Sequence, residues 1–351
     1  MKSSFLMIVL IILLSLIVGI GILLLIQQLK SNPAQQTEYP NKIITRAWLP
    51  WWDFENAQKE VEQYGPFFNQ LVPLIFILNK DGQIEAKIQD VNQRLTQLKN
   101  FSNAQIIVSI YNDFDGDRVS KIINQPTARA RHIEQLVGLV SSDQISGLEL
   151  DYEYLKAEDK DSYSLFVKEL AAKLHQIGKT LHLTLHPKTN SQGDWHGATA
   201  QDWQVLSKHA DYLVVMAYDY HWQTSPSGPI APLPWVSQVI SYAKKEMPSQ
   251  KIILGVPLYA YDWTESKQKA KDLTLKDLDR LSQEFSLTVS KDNHNQSVNL
   301  IYQDQDNRKH QIWTEDEDSF QAKLNLVKDQ ALAGFSIWRL GGVPASYFKK
   351  L

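Results

Sequence analysis

Ile145-Ser146-Gly147-Leu148-Glu149-Leu150-Asp151-Tyr152-Glu153-Tyr154 is the stretch on which the fold turns. Apolar and acidic residues alternate in it with the period of two of a β-strand. Leu148, Leu150 and Tyr152 share one face; Gly147, Glu149, Asp151 and Glu153 share the other. Neighbouring Cβ atoms on one face of a strand are about 7 Å apart. A solvated acidic edge strand is one reading. The other is a strand of an α/β barrel with its acids turned inward, in keeping with the α/β rhythm of the flanking segments. Close carboxylates in a confined site cannot all ionise near neutrality, so at least one keeps its proton. A carboxyl protonated near pH 7 is what a general acid requires.

Working outward, apolar strand-like runs alternate with amphipathic helical patterns from residue 43 onward, which predicts an α/β fold with a parallel sheet. Eight runs stand out: Ile43–Leu49, Leu71–Leu78, Ala104–Tyr111, Ile145–Tyr152, Thr180–His186, Tyr212–Tyr218, Lys251–Leu258 and Ala333–Trp338. Helical spacing of apolar residues marks 162–177, and Pro232 and Pro234 help start a helix over 233–247. Eight strands with intervening helices predict a (β/α)8 TIM barrel; a doubly wound sheet is the alternative. In a barrel the active site lies at the C-terminal ends of the strands. Aromatics and acids collect there: Trp48, Trp51 and Trp52 around the first end, Glu153 after the fourth, Tyr218, Asp219, His221 and Trp222 after the sixth, Tyr259 after the seventh, Trp338 at the eighth. The long connection from Trp263 to Ala331 holds two helical patterns and two short β-like runs, and predicts a small α+β insertion at about 264–316.

The 351 residues carry a net charge of −3, so nothing in the charge supports nucleic-acid binding. There is no cysteine, which excludes disulfides, cysteine nucleophiles and cysteine-based zinc sites. His182 and His186 sit about 13 Å apart along one strand, too far to share one metal ion. No metal and no cofactor is expected. Phe5 to Ile26 is continuously apolar apart from one Ser and two Gly. Crossing a bilayer core takes about 20 residues, so residues 1–30 are expected to be an uncleaved transmembrane signal anchor, with 31–42 as a linker. The expected location is the cell membrane, single-pass, with the barrel outside; secretion after cleavage is the alternative.

The acidic stretch resembles the signature of glycoside hydrolase family 18, the chitinase-like enzymes, whose pattern is Asp-x-x-Asp-x-Asp-x-Glu on the fourth barrel strand. Its four positions fall on Ser146, Glu149, Asp151 and Glu153; the last two match. Met216-Ala217-Tyr218-Asp219 is similar to the family's Met-x-Tyr-Asp at the sixth strand, and Trp338 falls at its eighth-strand Trp. Residues 218–236, 253–263, 312–326 and 335–342 are similar to the bacterial spore-cortex-lytic and cell-wall branch. The resemblance covers 43–351. It implies a retaining, substrate-assisted glycosidase acting on β-linked N-acetylglucosamine polymers, peptidoglycan or chitin-type. Glu153 would be the acid and base, Asp151 would orient the 2-acetamido group, Tyr218 would bond its oxygen, and Glu149 would stand behind Asp151. Met216, Asp219, Trp338, Trp48, His221, Trp222 and Tyr259 would bind substrate. A monomer, with the membrane reached through residues 5–26, completes the expectation. A sugar-binding protein on the same barrel with little or no turnover is the alternative.

Overall fold

A computed structural model describes residues 43–265 and 269–351. Its strands are β1 (Ile44–Pro50), β2 (Gln70–Leu78), β3 (Ile84–Ala86), β4 (Gln105–Tyr111), β5 (Gly147–Asp151), β6 (Thr180–Leu185), β7 (Tyr212–Val215), β8 (Ile252–Pro257), β9 (Tyr259–Thr264), β10 (Lys271–Thr274), β11 (Thr288–Asp292), β12 (Ser297–Gln303), β13 (Lys309–Thr314) and β14 (Gly334–Trp338). Parallel pairing runs β1-β14-β8-β7-β6-β5-β4-β2 and returns to β1, closing an eight-stranded barrel. β3 pairs antiparallel with β2 outside this ring. The expected TIM barrel is therefore present, and the doubly wound alternative is excluded by the closing β1–β2 pair.

Closure explains the two faces of β5. Leu148 and Leu150 point outward into a shell of apolar side chains shared with the helices, for example Phe166, Val167, Leu170 and Leu174 of the helix Lys160–Gln176. Tyr152 continues that face, with its ring stacked against Phe166 and His132. Burying each such side chain contributes about 1.5–3 kcal/mol. The inward face meets a smaller apolar group, Ile44, Trp48, Val72, Ile107, Val214 and Ile253. With it lie fully buried polar residues: Arg46, Ser109, Glu149, His182, Thr184 and Ser336. Gly147 at the start of β5 is required by packing. A Cβ there would come within 2.2 Å of the Thr180 hydroxyl on β6.

After β8 the chain leaves the barrel through β9. It joins a second, antiparallel sheet of order β10-β9-β13-β12-β11 with its own core of Leu273, Leu281, Val298, Leu300 and Ile312. The helix Glu317–Asp329 then leads back to β14; Asp316 caps it in a reciprocal capping box with Ser319.

Among the described residues no helix is long and apolar enough to cross a membrane. The expected span over 5–26 and the linker over 31–42 lie outside the described residues. The expected single-pass placement at the cell membrane is corrected accordingly, since no described helix carries it.

Candidate active site

The inward face of β5 delivers the acids to the barrel axis at two depths. Glu149 is the deeper and is fully buried. One of its oxygens is ion-paired with the Arg46 guanidinium from β1, and the other accepts the Trp48 indole N–H at 2.6 Å. Arg46 also donates to Ser336 Oγ at 3.1 Å and faces His182 Nδ1 at 3.1 Å. An arginine can only donate, so His182 Nδ1 accepts and its Nε2–H faces Thr180 Oγ1 at 3.1 Å. Burial, then the Arg46 charge, hold His182 well below its usual value, so the imidazole is neutral.

Asp151 lies one step nearer the rim and accepts the Thr184 hydroxyl at 2.6 Å. Burial pushes its carboxyl up to about 7. The Thr184 bond opposes that shift, the Glu149 charge adds to it, and Arg46 opposes it. Glu153 follows just beyond the strand end. Burial, then the neighbouring charges of Asp151 and Asp219, raise it well above the carboxylate range. Asn112, at the end of β4, fixes its backbone from both sides. The Asn112 side chain accepts the Glu153 N–H at 2.9 Å and donates to its C=O at 2.8 Å. His186 Nε2 stands 3.7 Å from the Glu153 carboxyl. Burial, then Lys188, depress this imidazole to about 3, so it is neutral and the contact is not an ion pair.

Tyr218 comes in from the end of β7, its ring edge-to-face with Tyr259. It fits because β8 has Gly255 beside it: a Cβ there would lie 2.9 Å from the Tyr218 ring and 2.9 Å from the Val215 carbonyl. Asp219 adopts a left-handed backbone, φ 58°. Its carboxylate accepts the hydroxyls of Tyr259 and Tyr261, the latter at 3.0 Å, both carried on one face of β9. Desolvation lifts Asp219 to about 6 against those two bonds. Met216 is buried at the same strand end, and Trp338 at the end of β14 packs edge-on to Trp48.

The expected site residues thus divide. Glu149, Asp151, Glu153, Tyr218, Asp219 and Tyr259 share one electrostatic neighbourhood, in which each carboxylate affects another residue of the set. Trp48 does not fit the role of a sugar platform. It is only 1% exposed, and its N–H is taken by Glu149. His221 and Trp222 lie on the loop after Asp219, held by local bonds to the Pro226 carbonyl and the Thr224 hydroxyl. Trp222 is exposed.

Several residues at the site escape sequence reading. Arg46 is a single charge in an apolar strand, and its partners lie on three other strands. Asn112 reads only as a turn residue. An aromatic ridge also crosses the loops after β4, β5 and β6. It runs Tyr111, Phe114, Tyr154, Trp195 and His186, with successive ring centroids 5.8, 5.4, 5.0 and 4.4 Å apart. Phe114 and Tyr154 are 56% and 57% exposed. Both have positive φ, in the left-handed region that non-glycine residues seldom adopt.

The model of Glycosyl hydrolases family 18 matches residues 48–342. The cortical fragment-lytic enzyme of Bacillus subtilis (strain 168) is 29% identical over 294 residues, spanning 82% of this chain and 68% of that protein. Its namesake in Bacillus cereus is 30% identical over 297 residues, with the same two coverages. Among solved structures, the Bacillus cereus spore cortex-lytic enzyme aligns with a TM-score of 0.80 at 25% identity, over 88% of this chain and 73% of that one. A chitinase from Chromobacterium violaceum ATCC 12472 shares the fold at a TM-score of 0.80 and 22% identity, over 88% of this chain and 98% of that one. With the family pattern spanning the barrel from β1 to the turn after β14, this chain belongs to glycosyl hydrolases family 18 and is a glycoside hydrolase.

Proposed function

We propose that residues 43–351 form a hydrolase domain that cuts β-linked N-acetylglucosamine polymers, with peptidoglycan fragments the first choice, acting as a monomer and with retention. The observation that carries this reading is the buried Glu153 carboxyl at the rim beside Asp151 and Tyr218, which burial and the neighbouring acids bias toward its acid form. The similarity to cortical fragment-lytic enzymes supports the choice of peptidoglycan. The exposed aromatic ridge beside Glu153 supports a polymeric sugar, because ring faces stack on the C–H faces of pyranoses.

In this mechanism Glu153 donates its proton to the leaving glycosidic oxygen. The oxygen of the substrate's own 2-acetamido group attacks the anomeric carbon, and the bond to the leaving group breaks. Asp151 accepts the acetamido N–H and balances the positive charge of the oxazolinium ring; the Tyr218 hydroxyl donates to the attacking oxygen. Glu153, now ionised, takes a proton from the water that attacks the anomeric carbon, and the bond from that carbon to the acetamido oxygen breaks, opening the ring and restoring the acetamido group. Two displacements at one carbon return the starting configuration, with no enzyme carboxylate bonded to sugar.

Removing a general acid typically costs 10²–10⁴-fold in rate. Glu153→Gln should therefore lower kcat on an N-acetylglucosamine oligomer by at least about 100-fold with the melting temperature preserved. A loss under tenfold would remove Glu153 from the acid role. Equal turnover of the matching deacetylated oligomer would rule out substrate assistance.

A further inference from the structure

The buried pair behind Asp151 has no part in the steps above, yet the barrel is built around it. Arg46 and Glu149 are both fully buried, and every polar end of the pair is engaged. Glu149 receives Arg46 on one oxygen and Trp48 on the other. Arg46 spreads its fork over Glu149, Ser336 and the lone pair of a neutral His182. Protonating Glu149 would strand a buried guanidinium, and losing one partner of such a pair is strongly unfavourable. Glu149 is therefore committed to Arg46, and its charge is cancelled locally.

We propose that Arg46 is a positioning residue that sets the charge surrounding Asp151 through its buried pair with Glu149. By pairing with Glu149, it leaves Asp151 facing a net-neutral floor. This rests on the proposed role of Asp151. The groups whose charge or hydrogen bond acts on Asp151, or on which its charge acts, are Glu149 on its own strand, Arg46 on β1, Tyr111 on β4, Thr184 on β6, Tyr163 on the helix outside β5, Tyr218 after β7, and Glu153 at the rim; the neutral His182 on β6 touches Arg46. Among these, Arg46 is the cation.

The two halves of the pair act on Asp151 with opposite sign, and this yields a test that a purely structural role fails. Glu149→Gln keeps an acceptor for the Trp48 N–H and leaves Arg46 uncompensated. Arg46→Met leaves the carboxylate uncompensated. The double variant Arg46→Met/Glu149→Gln restores neutrality. Protein labelled with ¹³C at the aspartate side-chain carboxyl carbon, titrated by NMR, reports Asp151 without any substrate. The Asp151 midpoint is expected to fall by about one pH unit in Glu149→Gln, to rise by about one unit in Arg46→Met, and to return near the wild-type value in the double variant. Shifts of the same sign in both single variants, or no shift in either, would overturn the proposal.

Should Arg46→Met fail to fold, the near-isosteric Glu149→Gln decides alone: a fall supports the proposal, and an unchanged or raised midpoint overturns it. The pH profile of kcat/KM in the same variants separates this inference from the functional reading. Midpoints that move while both limbs of the profile stay fixed would support the Arg46 assignment and remove Asp151 from the reaction.

Discussion

At Asp151 burial raises the carboxyl to about 7 while the Thr184 hydroxyl pulls it down. An unfolded aspartate titrates near 3.9. Between these values the folded state holds a proton that the unfolded state has lost, so stability falls as pH rises. The contribution is fully present below about pH 4 and is lost as pH passes through about 7. Asp151→Asn removes that dependence. In thermal melts across pH 4–9 the variant should gain on the wild type as pH rises, by a few kcal/mol above neutrality. A difference that stays flat across that range would contradict the burial argument. The raised Glu153 carboxyl has a kinetic counterpart. The acid form is lost on the alkaline side, so kcat/KM on an N-acetylglucosamine oligomer should fall there. Asp151 and Glu153 titrate as a pair rather than singly. At this scale Glu149, Asp151 and Glu153 were legible because alternation alone puts them on one face. A strand-end tryptophan such as Trp48 looks the same in sequence whether its indole lines the rim or, as here, donates to an acid beneath it.

The elements that aim these groups are the strand ends and the turns after them. Asn112 on the turn after β4 holds both backbone groups of Glu153, so Asn112→Ala frees the acid and leaves two backbone groups without those partners. The expected result is a kcat about ten- to a hundredfold lower with KM little changed, and a stability loss of about 1–3 kcal/mol. A KM effect with kcat intact would mean that Asn112 serves substrate binding instead. Gly255→Ala places a methyl against both the Tyr218 ring and the Val215 carbonyl, and only the ring has room to give. Overpacking of this kind costs about 1–3 kcal/mol. Urea melts should show that loss together with reduced activity; a neutral variant would show that the ring is not held where it stands. The barrel strands were readable from their apolar runs, and the helices from the 3.6-residue period and their prolines. The helix expected over 233–247 is observed at Leu233–Glu246. Arg46 was not readable, because its partners Glu149, His182 and Ser336 are remote in sequence and meet only when the barrel closes.

Over the whole molecule, two surfaces frame the acids. β9 brings Tyr259 and Tyr261 to Asp219 on one side. The ridge of Phe114, Tyr154 and Trp195 extends from Glu153 on the other. Under the proposed function, a ridge of that extent suits a long glycan more than a short one. Phe114→Ala/Trp195→Ala should raise KM for long oligomers by about tenfold, roughly 1.4 kcal/mol, and leave a disaccharide analogue unaffected. Equal effects on both would make the ridge structural. The sequence shows these aromatics only as separate residues on three loops; the positive φ of Phe114 and Tyr154 is a property of the folded turns. Whether Glu153 cuts an N-acetylglucosamine polymer is decided most directly by one experiment. Purified protein and its Glu153→Gln variant are each incubated with N-acetylglucosamine oligomers and with peptidoglycan, and the products are followed by mass spectrometry. Shorter fragments with new reducing ends are expected from the wild type and essentially none from the variant. No fragments from the wild type, or the same fragments from both, would contradict this role for Glu153.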